Sequence, residues 1–301
     1  MHRGIMSSIM KLLISVLLSI VIQFKVTGEN VAIDSPEGWG MSYQTAATLN
    51  LGDGIIPKLE IGEFYLSGEV STIPKLNADQ QKIGFGGFKY EDLNKSPFFG
   101  RGKVSSGFYW NSILELTWTP SLEINGAQPK GLWGFSWAKN LFKNDDIALG
   151  LRYFKLNGSA TADVTCSADV VAAPLYSPEN ISGCIGLSSD KINFGHNGLE
   201  LVLSPAQKTQ LMPWVSYARS NISPSVHIDA PLELIRERAF VETSGTLNSL
   251  SFGINYFITE QWRLNLSSSY TPLDIKRSEP AGGNDNFWNL RVGLSWKPAT
   301  N

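Results

Sequence analysis

Residues 287–298 read FWNLRVGLSWKP, and the alternation in this short stretch decides the fold. One set of alternate positions is Trp288, Leu290, Val292, Leu294 and Trp296. The other is Asn289, Arg291, Gly293, Ser295 and Lys297. A period of two sends successive side chains to opposite faces of a strand, so this strand has one apolar and one polar face. The apolar face meets either a protein core or a lipid bilayer, and the rest of the chain decides between them.

The pattern recurs throughout the chain. Ile147–Phe154, Leu250–Ile258 and Gln261–Tyr270 alternate in the same way, and Tyr109–Thr117 does so with Ser112 and Ile113 out of phase. Less regular candidates are 39–51, 59–71, 83–90, 132–142, 199–204, 211–220 and part of 234–243. Tight polar connections (143–146, 204–210, 259–261) alternate with long ones at about 157–193, 221–238 and 271–286. No repeat or composition break divides residues 29–301, so a single domain is expected.

Trp110 and Trp118, Trp262 and Tyr270, and Trp288 and Trp296 are each eight residues apart. Along a strand rising ~3.3 Å per residue and tilted ~40°, that spacing covers roughly 20 Å of a bilayer normal. This is near the separation of the two aromatic girdles of a membrane barrel. The polar faces are rich in Ser, Asn, Gly and Thr, with isolated charges at Glu115, Arg152, Glu200, Arg263 and Arg291. These suit a narrow lumen better than an open solvated face. The expectation is a transmembrane antiparallel up-and-down β-barrel of about 12 strands, within a range of roughly 10–14. A secreted soluble β-sandwich is the competing fold.

Arg3 and Lys11 precede the apolar run Leu12–Phe24, and Gly28 follows, which predicts a signal peptide over residues 1–28. Without it the chain carries 22 basic and 27 acidic side chains, a net charge of −5 that disfavours nucleic acid as a partner. Cys166 and Cys184 lie in a small-residue, Ser- and Pro-rich stretch. In an exported chain they predict a disulfide.

Taken together, these residues make the chain resemble a Gram-negative outer-membrane β-barrel protein over residues 38–298. The one sequence-level motif is in the last strand, where Arg291, Gly293 and Trp296 occupy the polar, glycine and closing-aromatic positions that the barrel-assembly machinery reads. Pro298 stands where a second aromatic is usual. The resemblance implies outer-membrane localisation, contact with lipid and lipopolysaccharide, and handling by that machinery during biogenesis.

The chemistry legible in the sequence is sparse. His196 and His227 are the two histidines after residue 28, and His227 has Ser225 and Asp229 two positions away on either side. Neither matches the Ser–His arrangements of barrel lipid hydrolases, and both read as ordinary surface. No cofactor or metal ligand set is visible, and Gly84–Phe88, GFGGF, lacks the helix a phosphate loop needs. The leading functional expectation is a non-enzymatic, passive porin-like channel for small solutes, with the five lumenal charges setting either an ion preference or a plug. A loop-mediated adhesin, receptor or structural role is the alternative, followed by a lipid hydrolase.

Overall fold

Alternating sequence becomes a closed wall in the computed structural model, which describes residues 28–207, 209–277 and 282–299. Residues 1–27, the body of the expected signal peptide, lie outside the described residues. In chain order the elements are β1 (Glu29–Asn30), α1 (Pro36–Thr48), β2 (Phe64–Thr72), β3 (Lys82–Ile83), the one-turn α2 (Gly84–Gly87), β4 (Lys89–Tyr90), β5 (Phe98–Phe108), β6 (Ser112–Trp118), β7 (Gln128–Lys143) and β8 (Ile147–Ala162). There follow α3 (Ala168–Ala172), β9 (Asp190–Pro205), β10 (Leu211–Ile222), β11 (Ser225–Pro231), β12 (Arg236–Glu242), β13 (Gly245–Phe257), β14 (Trp262–Thr271) and β15 (Phe287–Trp296).

Ten of these strands close an antiparallel barrel in the order β2-β5-β6-β7-β8-β9-β10-β13-β14-β15. β15 pairs back onto β2, with Leu294 opposite Gly68. Ten lies at the low end of the expected range. Three strand candidates, 39–51, 83–90 and 234–243, stay out of the wall, and Phe98–Phe108, not among the candidates, enters it as β5. The stretch 39–51, a weak strand candidate, is mostly α1, which Ser35 caps by accepting from the Gly38 N–H at 3.1 Å and Pro36 opens. Residues 73–97 form an outer loop holding the β3–β4 pair and the one-turn α2 between them.

The face assignment of the opening stretch holds through β15. Asn289, Arg291 and Ser295 are buried inside, while Trp288, Leu290, Val292 and Leu294 are exposed on the outer surface. The outward faces of β9, β10 and β13 carry Leu199, Leu201, Leu203, Val215, Tyr217, Phe252 and Ile254, all exposed. A soluble sandwich would bury these faces and hydrate the polar ones. Here the apolar faces form the exterior and the polar ones the interior.

β5–β6, β7–β8, β9–β10 and β13–β14 are joined by tight turns at one end, and the long connections gather at the other. Barrels of this kind keep short turns periplasmic and long loops outside, so the long-loop end is the outer end. There β10 and β13 run on past the rim as β11 and β12, with bends at Ser223–Pro224 and Thr243–Ser244. They make one long hairpin that β1 joins as a parallel edge. The connections expected at 157–193 and 221–238 are correspondingly shorter. β8 and β9 extend into the first, and β11 with the start of β12 fills most of the second.

Candidate functional site: the lumen and its outer cap

The chain before β2 does not join the wall; it threads the barrel. β1 sits at the outer end, α1 fills the upper lumen, and residues 49–63 descend to β2 at the short-turn end, where Ile61 bridges Gly107. α1 is buried because its aromatic groups find partners inside. Trp39 and Tyr43 are almost fully enclosed. Trp39 Nε1 donates to the Asp285 carbonyl at 2.9 Å, and the Tyr43 hydroxyl donates to the Pro74 carbonyl at 2.8 Å.

Below α1 the threaded backbone is extended, so its polar groups need partners from the wall. Arg101 of β5 donates to the carbonyls of Leu49 and Leu51, both at 3.1 Å. Arg291 of β15 donates to those of Leu51 and Gly52 at 3.3 Å. Glu200 of β9 accepts from the Gly52 N–H at 2.9 Å. Asn255 and Asn265 donate to the Asp53 carbonyl at 2.9 and 3.1 Å. Gly52 and Gly54 are required by closeness. A Cβ on Gly52 would lie 2.4 Å from the Arg152 guanidinium carbon, and one on Gly54, whose φ is +81°, 2.1 Å from the Trp214 ring.

The charged side chains form two linked groups at this level. Asp53 receives Lys103 Nζ at 2.8 Å and Arg263 at 3.5 Å, while Glu69 lies 2.6 Å from Arg101, 3.5 Å from Lys103 and 3.7 Å from Arg291. Arg152 pairs with Glu115 and, at 3.4 Å, with Glu200. All five charges expected in the lumen (Glu115, Arg152, Glu200, Arg263 and Arg291) are therefore inside and paired. Asp53, Glu69, Arg101 and Lys103 complete the set. Sequence reading passed over Glu69, Arg101 and Lys103, though each sits on an alternating run whose opposite positions carry Leu66, Val70 and Val104. Asp53 carried no period at all.

Above and below the charges the lumen is closed by apolar packing. Leu49, Leu51 and Phe154 meet α1 on the outer side; Ile56, Leu59, Tyr65, Ile113 and Ala138 pack together on the other. The cavity beside Asp53 has a volume of about 10 Å³, room for about one water molecule.

The remaining expected residues fall into place with two corrections. Trp262 faces Trp296, and Tyr270 faces Trp288, so two of the three aromatic spacings form cross-strand pairs at opposite ends of β14–β15. Trp110 departs from expectation. It lies in the turn Tyr109–Asn111 with φ +58°, not on a strand face with Trp118, whose neighbour is Trp133 on β7. His196, expected at the surface, is buried in the lumen, where its Nε2 accepts from the Asn50 N–H at 3.2 Å. The His227 ring packs at a tilt against Phe240, centroids 4.4 Å apart, while Asp229 is engaged by Arg236, so the Ser225–His227–Asp229 spacing builds no triad. Cys166 and Cys184 form the disulfide.

A ten-strand antiparallel barrel with an apolar exterior and a polar interior, in which every strand is paired on both edges, meets the condition for crossing a bilayer with strands. The chain folds as a membrane-spanning β-barrel. No protein-family model matches its sequence, and no curated protein does. Solved structures similar to it include the outer membrane protease OmpT from Escherichia coli, at 12% identity and TM-score 0.37 over 82% of this chain and 100% of that one. The Pseudomonas putida toluene transporter TodX aligns at 6% identity and TM-score 0.34, covering 88% and 92%. The N-terminal β-barrel domain of Pseudomonas aeruginosa OprF aligns at 15% and 0.29, covering 62% and 95%.

Proposed function

We propose that this outer-membrane barrel is non-conducting and non-catalytic in its resting form, and that it works through its outer cap as a receptor, adhesin or structural element. The observation that carries the reading is the passage of residues 49–56 through the ring of lumenal charges, each of which is ion-paired with Asp53 of the threaded segment or with another wall residue. A passive porin needs a continuous water path at that level, and the threaded segment occupies it. Catalysis is disfavoured because His196 Nε2 is taken by the Asn50 N–H and Asp229, the acid nearest His227 in sequence, is held by Arg236.

The last strand keeps Arg291 and Gly293 facing inward and Trp296 at the short-turn end, which supports recognition by the barrel-assembly machinery. Lipopolysaccharide is the proposed outer-leaflet neighbour of the aromatic and aliphatic belt. Planar-bilayer recording of the refolded full-length protein tests the central reading: an inserted, heat-modifiable barrel should be silent. Steady single-channel steps from the unmodified protein would overturn it and restore the porin.

A further inference from the structure

Above the membrane belt the cap contains a cavity of about 700 Å³, within the range that small-molecule sites occupy. α1 and the β3–β4 segment bound it on one side, the upper ends of β8 and β9 on a second, and the projecting hairpin with β1 on a third. Much of its lining is apolar, with Met41, Leu93, Ile192, Phe194, Val226 and Val241 among it.

Most of the charged groups around it are already committed. Lys95 is held between Asp92 and Asp163 at 2.8 and 3.0 Å. The Asp190 carboxylate accepts from the Val164, Thr165 and Asp229 N–H groups and the Ser188 hydroxyl. Lys89 Nζ reaches Glu91 Oε1 at 2.8 Å. Two acceptors are left over: Glu91 Oε2 and Glu237 Oε2 are buried, line the cavity, and have no hydrogen-bond partner among the described residues. The Glu91 side chain is only 10% exposed. A buried acceptor without a donor is costly, and burial with the negative charges of Asp190 and Glu237 nearby pushes the Glu91 carboxyl up to about 7. An occupant that supplies a charged donor would relieve both.

We propose that this cavity binds a small amphipathic amine, its apolar body against the Met41, Phe194 and Val226 wall and its ammonium donating to Glu91 Oε2 and Glu237 Oε2. The proposal rests on the outer cap being the working surface. It differs from that reading in its failure: a silent barrel that binds no amine removes this site and leaves the reading standing, whereas a conducting one removes the reading first.

The test is titration calorimetry on the full-length protein in lipid nanodiscs with three probes sharing one apolar body: tryptamine, tryptophol and indole-3-acetate. Saturable tryptamine binding is expected, with tryptophol at least about tenfold weaker because a neutral hydroxyl replaces the charge-assisted donor, and no indole-3-acetate binding. Glu91→Gln keeps the side-chain shape and should abolish the preference for tryptamine over tryptophol. Val226→Trp, which fills the cavity, should remove binding of both, each variant remaining heat-modifiable. Absence of saturable tryptamine binding, equal affinity for the three probes, or an undiminished preference in Glu91→Gln would overturn the proposal.

Discussion

Lys103 Nζ lies 2.8 Å from Asp53 Oδ1, joining the barrel wall to the segment that threads it. Both side chains are almost fully enclosed, so neither can turn to bulk water when the other is removed. Asp53 also neutralises part of an excess. The lumen holds Arg101, Lys103, Arg152, Arg263 and Arg291 against Asp53, Glu69, Glu115 and Glu200, and backbone carbonyls of the threaded segment accept further N–H groups of Arg101 and Arg291. Asp53→Ala should therefore leave Arg263 without its carboxylate and Lys103 with Glu69 alone, at a cost of about 3–5 kcal/mol. The threaded segment should loosen and the barrel should conduct. Conductance from this variant should favour anions, because five cations then face three carboxylates. Reversal potentials in a salt gradient read the sign directly.

The Cys166–Cys184 bond closes a separation of 18 residues. Both cysteines pack with Val170 and Ala230, and the segment docks on the hairpin through Ile185 N to the Pro231 carbonyl and Ser189 N to the Asp229 carbonyl. A Cys166→Ser, Cys184→Ser variant should lose roughly 3 kcal/mol of local order in the outer cap, while the ten-strand closure lies elsewhere. Limited proteolysis should cut within 163–189 at least several-fold faster than in the wild type, with the heat-modifiability of the barrel unchanged.

Val292 stands midway between Trp288 and Trp296 on β15 and points outward, 49% exposed to the surroundings. If those surroundings are hydrocarbon, Val292→Arg should cost about 2–4 kcal/mol in the membrane-inserted state, the range for an arginine near the bilayer midplane. Urea-dependent refolding into liposomes measures it. A change within experimental error would mean that this face is not in lipid.

Glu91 gives the outer cap a pH dependence of definite sign. Its carboxyl titrates at about 7 folded, against an ordinary value of 4.5, because burial outweighs the help of Lys89 at 2.8 Å. The folded form thus holds the proton more tightly than the unfolded one. Its contribution is complete below pH ~4.5 and is lost as pH rises towards 7, by up to roughly 3 kcal/mol. Amide exchange in 82–93 should quicken over that window beyond its intrinsic base catalysis, and Glu91→Gln should flatten the excess.

The wall of this protein was legible in the sequence and the plug was not. β15 and β14 announce themselves through strict alternation between Trp288 and Trp296 and between Trp262 and Tyr270, because each residue there sees either lipid or lumen. The short turns near 143–146, 204–210 and 259–261 follow from their polar residues. Residues 36–63 obey no such two-solvent rule. α1 lies inside the barrel with protein around most of its circumference, so Trp39, Tyr43, Thr45 and Ala46 are all buried and no amphipathic stripe marks a helix. Asp53 is read only with its partners, which come from β5 and β14, 50 and 210 positions away along the chain. The Trp110 expectation failed for a local reason: a left-handed turn at Trp110–Asn111 interrupts the strand, and side-chain spacing does not reveal backbone φ.

The most direct test of the threaded lumen is thiol accessibility at Ser251, an inward, buried position on β13, in a chain whose two native cysteines are already paired. Ser251→Cys in the liposome-inserted protein should resist a small charged methanethiosulfonate reagent from either side, while Thr246→Cys, exposed near the outer end of the same strand, reacts freely. Adding Asp53→Ala should bring the Ser251→Cys rate up towards that of Thr246→Cys. Rapid labelling of Ser251→Cys with Asp53 intact would contradict the account, since it would show a water-filled lumen where residues 49–56 are placed.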